Sequence, residues 1–470
     1  MNELLDLSLL ELTRELHERG ASAVELMEAV LDRIDEVNPE LNAVVALHES
    51  ERLLASAREA DRRFLEGSAR PLEGVPLGVK DLEDAEGLVT SQGSLPFKDR
   101  LAEADSTQVA RLRAAGAIVL GKTNAPEFGY TAITKNLVYG VTRNPWNPER
   151  TPGGSSGGSA AALVSGMLPL VTASDGGGSI RIPASFTGAF GLKPSFGRVP
   201  RGPSHRWSHD DTSVYGPLTR TVEDAALVLD QVVGFAPSDP KSLPHPGFSY
   251  LECLARDLPE GLRIAYSPDL GHAVVQSDIA EAVYDAALVF EKLGHRVEPI
   301  EGGPPPLGQE WGLLGAFEMA AELHGMLPEH EESFGRGFLR GVKMGWDMTP
   351  EAFGAAERAR MRLCRWVADL FESYDLLLTP TMPFDPPPAK GPFPRETEGR
   401  PQPVWGIAAF TIPFNLSWNP AASVRVGLSR AGLPTGMQIV GPWHRDDRVL
   451  QAARAFERER PWHPNWPTSG

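Results

Sequence analysis

Residues 151–200, TPGGSSGGSAAALVSGMLPLVTASDGGGSIRIPASFTGAFGLKPSFGRVP, carry two glycine-framed serines. Ser155 sits within Gly153-Gly154-Ser155-Ser156-Gly157-Gly158, just ahead of an alanine-rich run, and Ser179 follows Asp175-Gly176-Gly177-Gly178. Glycine has no Cβ, so loops of this composition take positive φ and bring backbone N–H groups close to a ligand. Between the two, residues 168–173 read as a short buried strand, which would release the second loop at a strand end, where α/β proteins place their chemistry. Two serines there point to acyl transfer. A solvated Gly/Ser linker is the competing reading. Against it, the first loop runs into a helical pattern over 159–167 and the second into Ile180, Ile182 and Phe186, so apolar segments clamp both.

The rest of the chain bounds this reading. A length of 470 residues with 41% hydrophobic side chains is enough for a large core, and Gly 47 with Pro 42 stays below the composition of a disordered chain. Lys+Arg 45 against Asp+Glu 62 gives a net charge of −17, which argues against a phosphate backbone as partner, so no nucleic acid is expected. Cys253 and Cys364 stand far apart in apolar surroundings and read as buried free thiols, with neither a disulfide framework nor a cysteine metal site. The acidic start MNELLDLSLLEL lacks a basic segment and a cleavage site, and the most apolar run, 160–173, is broken by Ser165, Gly166 and Pro169. The expectation is a cytoplasmic protein that neither enters nor binds a membrane.

Working outward, Ser8-Leu9-Leu10-Glu11 and Ser22-Ala23-Val24-Glu25 have capping-box spacing and each opens a helical pattern; a third helix over 49–65 ends at Gly67. Gly74-Val75-Pro76-Leu77-Gly78-Val79-Lys80-Asp81 reads as a strand ending on a lysine, a residue that seldom ends a buried strand without a partner. Beyond Asp239 come strand (262–266), helix (278–293), strand (296–300), a largely helical stretch over 311–371 with Thr349 and Pro350 as N-cap and N1, and a strand over 374–378. Residues 384–403 are proline-rich and read as a long surface loop. Trp311, Phe317, Phe334, Trp346 and Phe353 are candidates for the wall of a pocket, although packing into the core is the commoner fate of such side chains.

Three motifs point elsewhere and are outweighed by their context. Gly116-Ala117-Ile118-Val119-Leu120-Gly121-Lys122-Thr123 matches the phosphate-loop expression, but its middle residues are themselves an apolar strand and Asn124-Ala125-Pro126 follows in place of a helix. Gly153-x-Ser155-x-Gly157 matches the nucleophile elbow, which needs a strand immediately before it, whereas residues 144–152 form a proline-rich loop. His205 and His209 with Asp210 and Asp211 have metal-ligand spacing, yet the segment has no helical stripe and reads as a pocket-lining loop.

At Lys80, Ser155 and Ser179 the chain resembles the amidase signature hydrolases, among them the aryl acylamidases and 6-aminohexanoate cyclic dimer hydrolase-like amidases. The matching pieces are GVPLGVKDL (74–82), GAIVLGKTNAPEFG (116–129), NPWNPERTPGGSSGGSAA (144–161) and DGGGSIRIPAS (175–185), with weaker matches in FNLSWNPAAS (414–423) and GLPTGMQIVG (432–441). The resemblance covers nearly the whole length. It implies an α/β amidase signature fold: a large mixed β-sheet covered by helices on both faces. The chain would be a single domain over 1–470, with the signature core at about 70–220 and a variable helical and loop cap at about 303–405.

Carried across residue by residue, the resemblance makes Ser179 the nucleophile that forms the acyl-enzyme, Ser155 the bridging serine on a cis peptide bond and Lys80 the base. Gly176, Gly177, Gly178 and Ser179 would supply oxyanion-binding N–H groups and the Gly129 backbone would contact substrate. Asp175 and Arg181 would brace the loop and Ser156 would add a supporting hydroxyl. The chemistry is consistent in itself: a lysine acts as base only when neutral, so its pKa must fall from about 10.4 towards 7 or 8, as burial at a strand end can achieve. A serine hydroxyl, with one donor and two lone pairs, can relay the proton.

The sequence reading is therefore a metal-free, cofactor-free amidase acting on a small amide, apolar or aryl by the aromatic content of the cap, with esters and carbamates as further substrates, working as a monomer or homodimer. Within the family, the alternative is the glutaminase component (GatA-type) of a glutamyl-tRNA amidotransferase. Gly176, where that component usually has threonine, and Ile182-Pro183, where it has Gln-Pro, weigh against it. A non-catalytic binding protein on the same scaffold is the alternative outside enzymes, disfavoured because every catalytic position is filled. Trp418, where glycine is common, is expected to narrow the pocket.

Overall fold

The computed structural model describes residues 3–203, 210–463 and 465–467. The mixed sheet is present as two hydrogen-bonded pieces. Strands Val44–Leu47, Ile118–Thr123, Pro76–Lys80 and Leu170–Val171, in that spatial order, form the smaller. The larger runs Leu218–Thr219, Phe190–Lys193, Ala421–Leu428, Pro434–Val440, Leu376–Pro380, Arg263–Tyr266 and Arg296–Pro299. Pro76–Lys80 is parallel to both its neighbours, and Arg263–Tyr266 likewise, while the strands over 421–440 pair antiparallel. The two sheets approach each other at the edge strands Leu170–Val171 and Leu218–Thr219.

Strand Pro434–Val440 shows why both faces must be covered, since all its residues are buried. Alternate side chains of a strand point to opposite faces. Gln438 reaches Arg181 of the helix Arg181–Thr187 at 2.7 Å, and a Cβ at Gly436 would meet Ser185 Oγ at 2.6 Å. On the other face, a Cβ at Gly441 would meet Val449 of the C-terminal helix Asp446–Glu459 at 2.7 Å. Helix Ser277–Lys292 packs against that C-terminal helix.

The N-terminal helices Leu9–Glu18 and Ala23–Leu41 begin at Ser8 and Ser22 with both reciprocal bonds of the capping box, and helix Ser50–Glu66 ends on Gly67 in the left-handed conformation. Helix Pro350–Ser373 starts with Thr349 accepting from Ala352 N–H. Gly121-Lys122-Thr123 continues the strand Ile118–Thr123, and Lys122 Nζ donates to the Glu83 carbonyl and to Thr90 Oγ1, so this lysine serves the core rather than a phosphate. Cys253 and Cys364 are free thiols, as expected, but half-buried rather than fully enclosed.

Besides the main core, two small apolar clusters sit beside the signature loops. One joins Ile182 and Phe186 to Leu363 and Val367 of helix Pro350–Ser373, the other joins Phe128 to helices Gly308–Leu323 and Arg336–Trp346. Among the described residues no helix is long and apolar enough to cross a membrane.

Candidate active site

Strand Pro76–Lys80 is wholly buried and delivers Lys80 to the end of the smaller sheet. There its Nζ donates to three hydroxyls: Ser155 Oγ at 2.8 Å, Ser156 Oγ at 2.8 Å and Ser174 Oγ at 2.9 Å. Burial pushes the Lys80 ammonium down to about 7, against the opposing pull of the Asp175 and Glu83 carboxylates. The Glu83 carboxyl is itself pushed up to about 7 by burial and accepts from Ser106 Oγ at 2.6 Å. Ser155 follows a cis Gly154–Ser155 bond, and no strand precedes it; the helix Gly157–Val164 opens directly after it.

The Asp175–Ser179 loop is held by a buried ion pair. Arg181 Nε donates to Asp175 Oδ2 at 2.9 Å and Arg181 Nη2 to Oδ1 at 2.9 Å, both side chains being fully buried. Burial alone would raise the Asp175 carboxyl, but the Arg181 charge and its hydrogen bonds override that and hold it well below the usual carboxylate range. Arg181 also reaches the Thr411 carbonyl, Gln438 Oε1 and Asn415 Oδ1, so its charge is fully engaged. Gly178 N–H donates to Asp175 Oδ1 at 2.7 Å, which commits that donor to the brace. The N–H groups of Gly176, Gly177 and Ser179 have no acceptor among the described residues.

Ser155, Ser174, Gly176, Gly177 and Ser179 line one cleft of about 1160 Å³ empty volume, part of it open to solvent. Gly129 lines it too. Its φ of 72° suits glycine, and a Cβ there would lie 2.8 Å from Leu82 Cδ1 and 3.1 Å from Ser155 Oγ. The opposite wall is aromatic and aliphatic, with Phe128, Tyr130, Tyr215, Trp311, Phe393 and Trp405. Ile182 lies on the nucleophile's side.

Of the five aromatic residues singled out in the sequence, only Trp311 lines this cleft. Phe317 and Phe353 pair at 6.0 Å on a second cavity behind Trp311, Phe334 packs on Phe338 in a cap cluster, and Trp346 donates its Nε1–H to the Ala320 carbonyl. Trp418 does not narrow the cleft either. It has φ of 65°, which accounts for glycine being favoured there, and it stacks on Phe196 at 4.7 Å with its Nε1–H on the Asp211 carbonyl.

His205 and His209 lie outside the described residues, while Asp210 and Asp211 both pair with Lys241. Among the described residues no group of three His, Cys, Asp or Glu side chains could hold a metal ion.

Sequence reasoning missed Ser174, Arg201, Thr411 and Asn415. Asn415 falls within the weak FNLSWNPAAS match, whereas nothing in the sequence marks the other three. Arg201 brings a charge to the cleft wall, donating to the Ser213 carbonyl at 3.2 Å with its guanidinium 5.7 Å over the Tyr215 ring.

A buried lysine on serine hydroxyls, beside a glycine loop with uncommitted N–H groups, defines a class of serine-based amide hydrolases, and the chain belongs to one family of that class: the Amidase model matches residues 25–450. It is similar to an acylamidase of Rhodococcus erythropolis, 36% identical over 98% of this chain and 97% of that protein. It is also similar to the GatA-type component of the glutamyl-tRNA(Gln) amidotransferase of Geotalea daltonii, 32% identical over 98% and 99%. Among solved structures, a bacterial aryl acylamidase of the amidase signature family superposes with a TM-score of 0.91 at 32% identity, covering 97% of each chain. The protein is an amidase signature enzyme that acts on amide bonds.

Proposed function

We propose that the enzyme hydrolyses a small neutral amide, apolar or aryl in character, through an acyl-enzyme on Ser179. The observation that carries this is the chain of contacts from Lys80 Nζ to Ser155 Oγ on the wall of the cleft that holds Ser179. Neutral Lys80 takes the Ser155 proton as Ser155 takes that of Ser179, and Ser179 Oγ attacks the amide carbonyl. The N–H groups of Gly176, Gly177 and Ser179 receive the oxyanion, Gly178 being committed to Asp175. Collapse expels the amine, which takes its proton back from Lys80 through Ser155, and water then releases the acid by the reverse relay. Ser156 and Ser174 keep Lys80 aimed, and the Asp175–Arg181 pair braces the loop.

The largely apolar wall favours aryl or alkyl groups over charged ones. The likeness to an acylamidase and to an aryl acylamidase supports the same choice, and aryl esters and carbamates fit the same cleft. The comparable likeness to the amidotransferase component, together with Arg201 on the cleft wall, supports a second reading in which glutamine is the amide donor and partner proteins take up the ammonia. Measured on the isolated chain, kcat/KM for a neutral p-nitroanilide should exceed that for glutamine by at least about tenfold, the factor that 1.4 kcal/mol of differential binding gives. A preference for glutamine would establish the second reading instead.

A further inference from the structure

The loop that ends in Ser179 is held from outside the signature region. Four successive carbonyls are each occupied: Asp175 by Asn415 Nδ2 at 3.0 Å, Gly176 by Trp311 Nε1 at 2.8 Å, Gly177 by Thr411 Oγ1 at 2.6 Å and Gly178 by Ile182 N–H at 2.7 Å. In a trans peptide the C=O and N–H point in opposite directions. Pinning the carbonyls of Asp175, Gly176 and Gly178 therefore turns the N–H groups of Gly176, Gly177 and Ser179 away from those donors, and these are the three N–H groups that have no acceptor among the described residues.

Two of the side-chain donors, Thr411 and Asn415, belong to the short connection into helix Ile412–Leu416, and Asn415 also holds the brace through Asp175 Oδ1. Trp311 is different, because it comes from helix Gly308–Leu323 of the cap. Its ring lies against the loop so closely that a Cβ at Gly177 would stand 2.4 Å from Trp311 Cζ2. The helix is in turn seated on Trp405: a Cβ at Gly308 or Gly312 would come within 2.3 or 2.6 Å of that ring, and the two indoles meet edge to face at 5.6 Å.

We propose that Trp311 is a positioning residue for the oxyanion-binding N–H groups, fixing the Gly176–Gly177 peptide through its indole N–H, with Thr411 doing the same for Gly177–Gly178. This rests on the reading of the Ser179 loop as the acyl-transfer site. It makes the cap part of the catalytic apparatus as well as the wall of the cleft. A residue that only lined the wall would act on substrate binding. One that holds the loop acts on the transition state, where the oxyanion forms.

The test is Trp311→Phe, which keeps an aromatic body against Gly177 and removes the donor, alongside the near-isosteric Thr411→Val. Each is assayed with a p-nitroanilide, with a trifluoromethyl ketone as transition-state analogue and with a fluorophosphonate that labels Ser179. Removing a direct oxyanion donor costs about 10²–10³ in kcat, so loosening one through its neighbour is expected to cost about tenfold or more. The expected result is that kcat, ketone affinity and labelling rate fall together in both variants, with KM within about threefold and the pH midpoint of kcat/KM unmoved. A Trp311→Phe enzyme with kcat and ketone affinity within about twofold of the parent overturns the proposal, as does a loss confined to KM. Should Trp311→Phe fail to fold, Thr411→Val alone decides between the same outcomes. If the fluorophosphonate does not label Ser179 in the parent enzyme, the acyl-enzyme reading itself falls, a result distinct from either of these.

Discussion

The walls of the cleft come from two regions built on different physics. On one side Lys80, Ser155, Ser156, Asp175 and Arg181 are buried polar groups bonded to one another, to backbone and to a few buried neighbours. On the other, Phe128, Phe393 and Trp405 are held by apolar contact with the cap segments. A buried polar network has few arrangements that satisfy every member, and leaving one member unpaired is costly. An apolar wall tolerates repacking as long as volume is kept. Chemistry should therefore be concentrated in the first region and choice of substrate in the second, with Trp311 as the point where they meet.

The sharpest break between the two regions is expected at Lys80. Below about 7 its Nζ is protonated and cannot accept from Ser155, so kcat/KM should fall as pH falls through that value and level off above it. Lys80→Ala should lower kcat by about 10²–10⁴ and erase this limb of the pH profile. A limb that persists in the variant would assign it to Glu83, whose carboxyl lies in the same range.

Arg181→Met tests the brace. Removing one partner of a buried ion pair leaves an uncompensated charge and costs about 3–5 kcal/mol. Denaturant unfolding should show a loss of that size, and a loss below about 1 kcal/mol would mean that Asp175 finds other support.

On the apolar side the effects shrink. Phe393→Ala should raise KM by about three- to tenfold through lost apolar contact while kcat stays within about threefold. Phe353→Ala, on the second cavity, should leave both constants within about twofold, because it does not touch the cleft. A Phe353 effect as large as that of Phe393 would mean that the two cavities act as one.

What could be read from sequence divides along the same line. Lys80, Ser155, Asp175, Ser179 and Arg181 stand in short motifs whose glycines and paired charges have few other uses, and the structure brings them together. The capping serines were equally legible, because capping is a local interaction. Cap aromatics carry no such local signal. Whether Trp311, Phe317 or Trp346 faces the cleft depends on how three helices lie on the signature core, and one helical turn decides it. Thr411 and Asn415 were missed for a related reason: each acts on a loop more than two hundred residues away in sequence.

Trapping the acyl intermediate bears most directly on the role of Ser179. Enzyme mixed with an activated aryl ester or p-nitroanilide is quenched in acid during turnover, and its peptides are mapped by mass spectrometry. The expected result is an acyl mass increment on Ser179, absent along with turnover in Ser179→Ala. An increment on Ser155, or turnover that survives Ser179→Ala, would contradict that role.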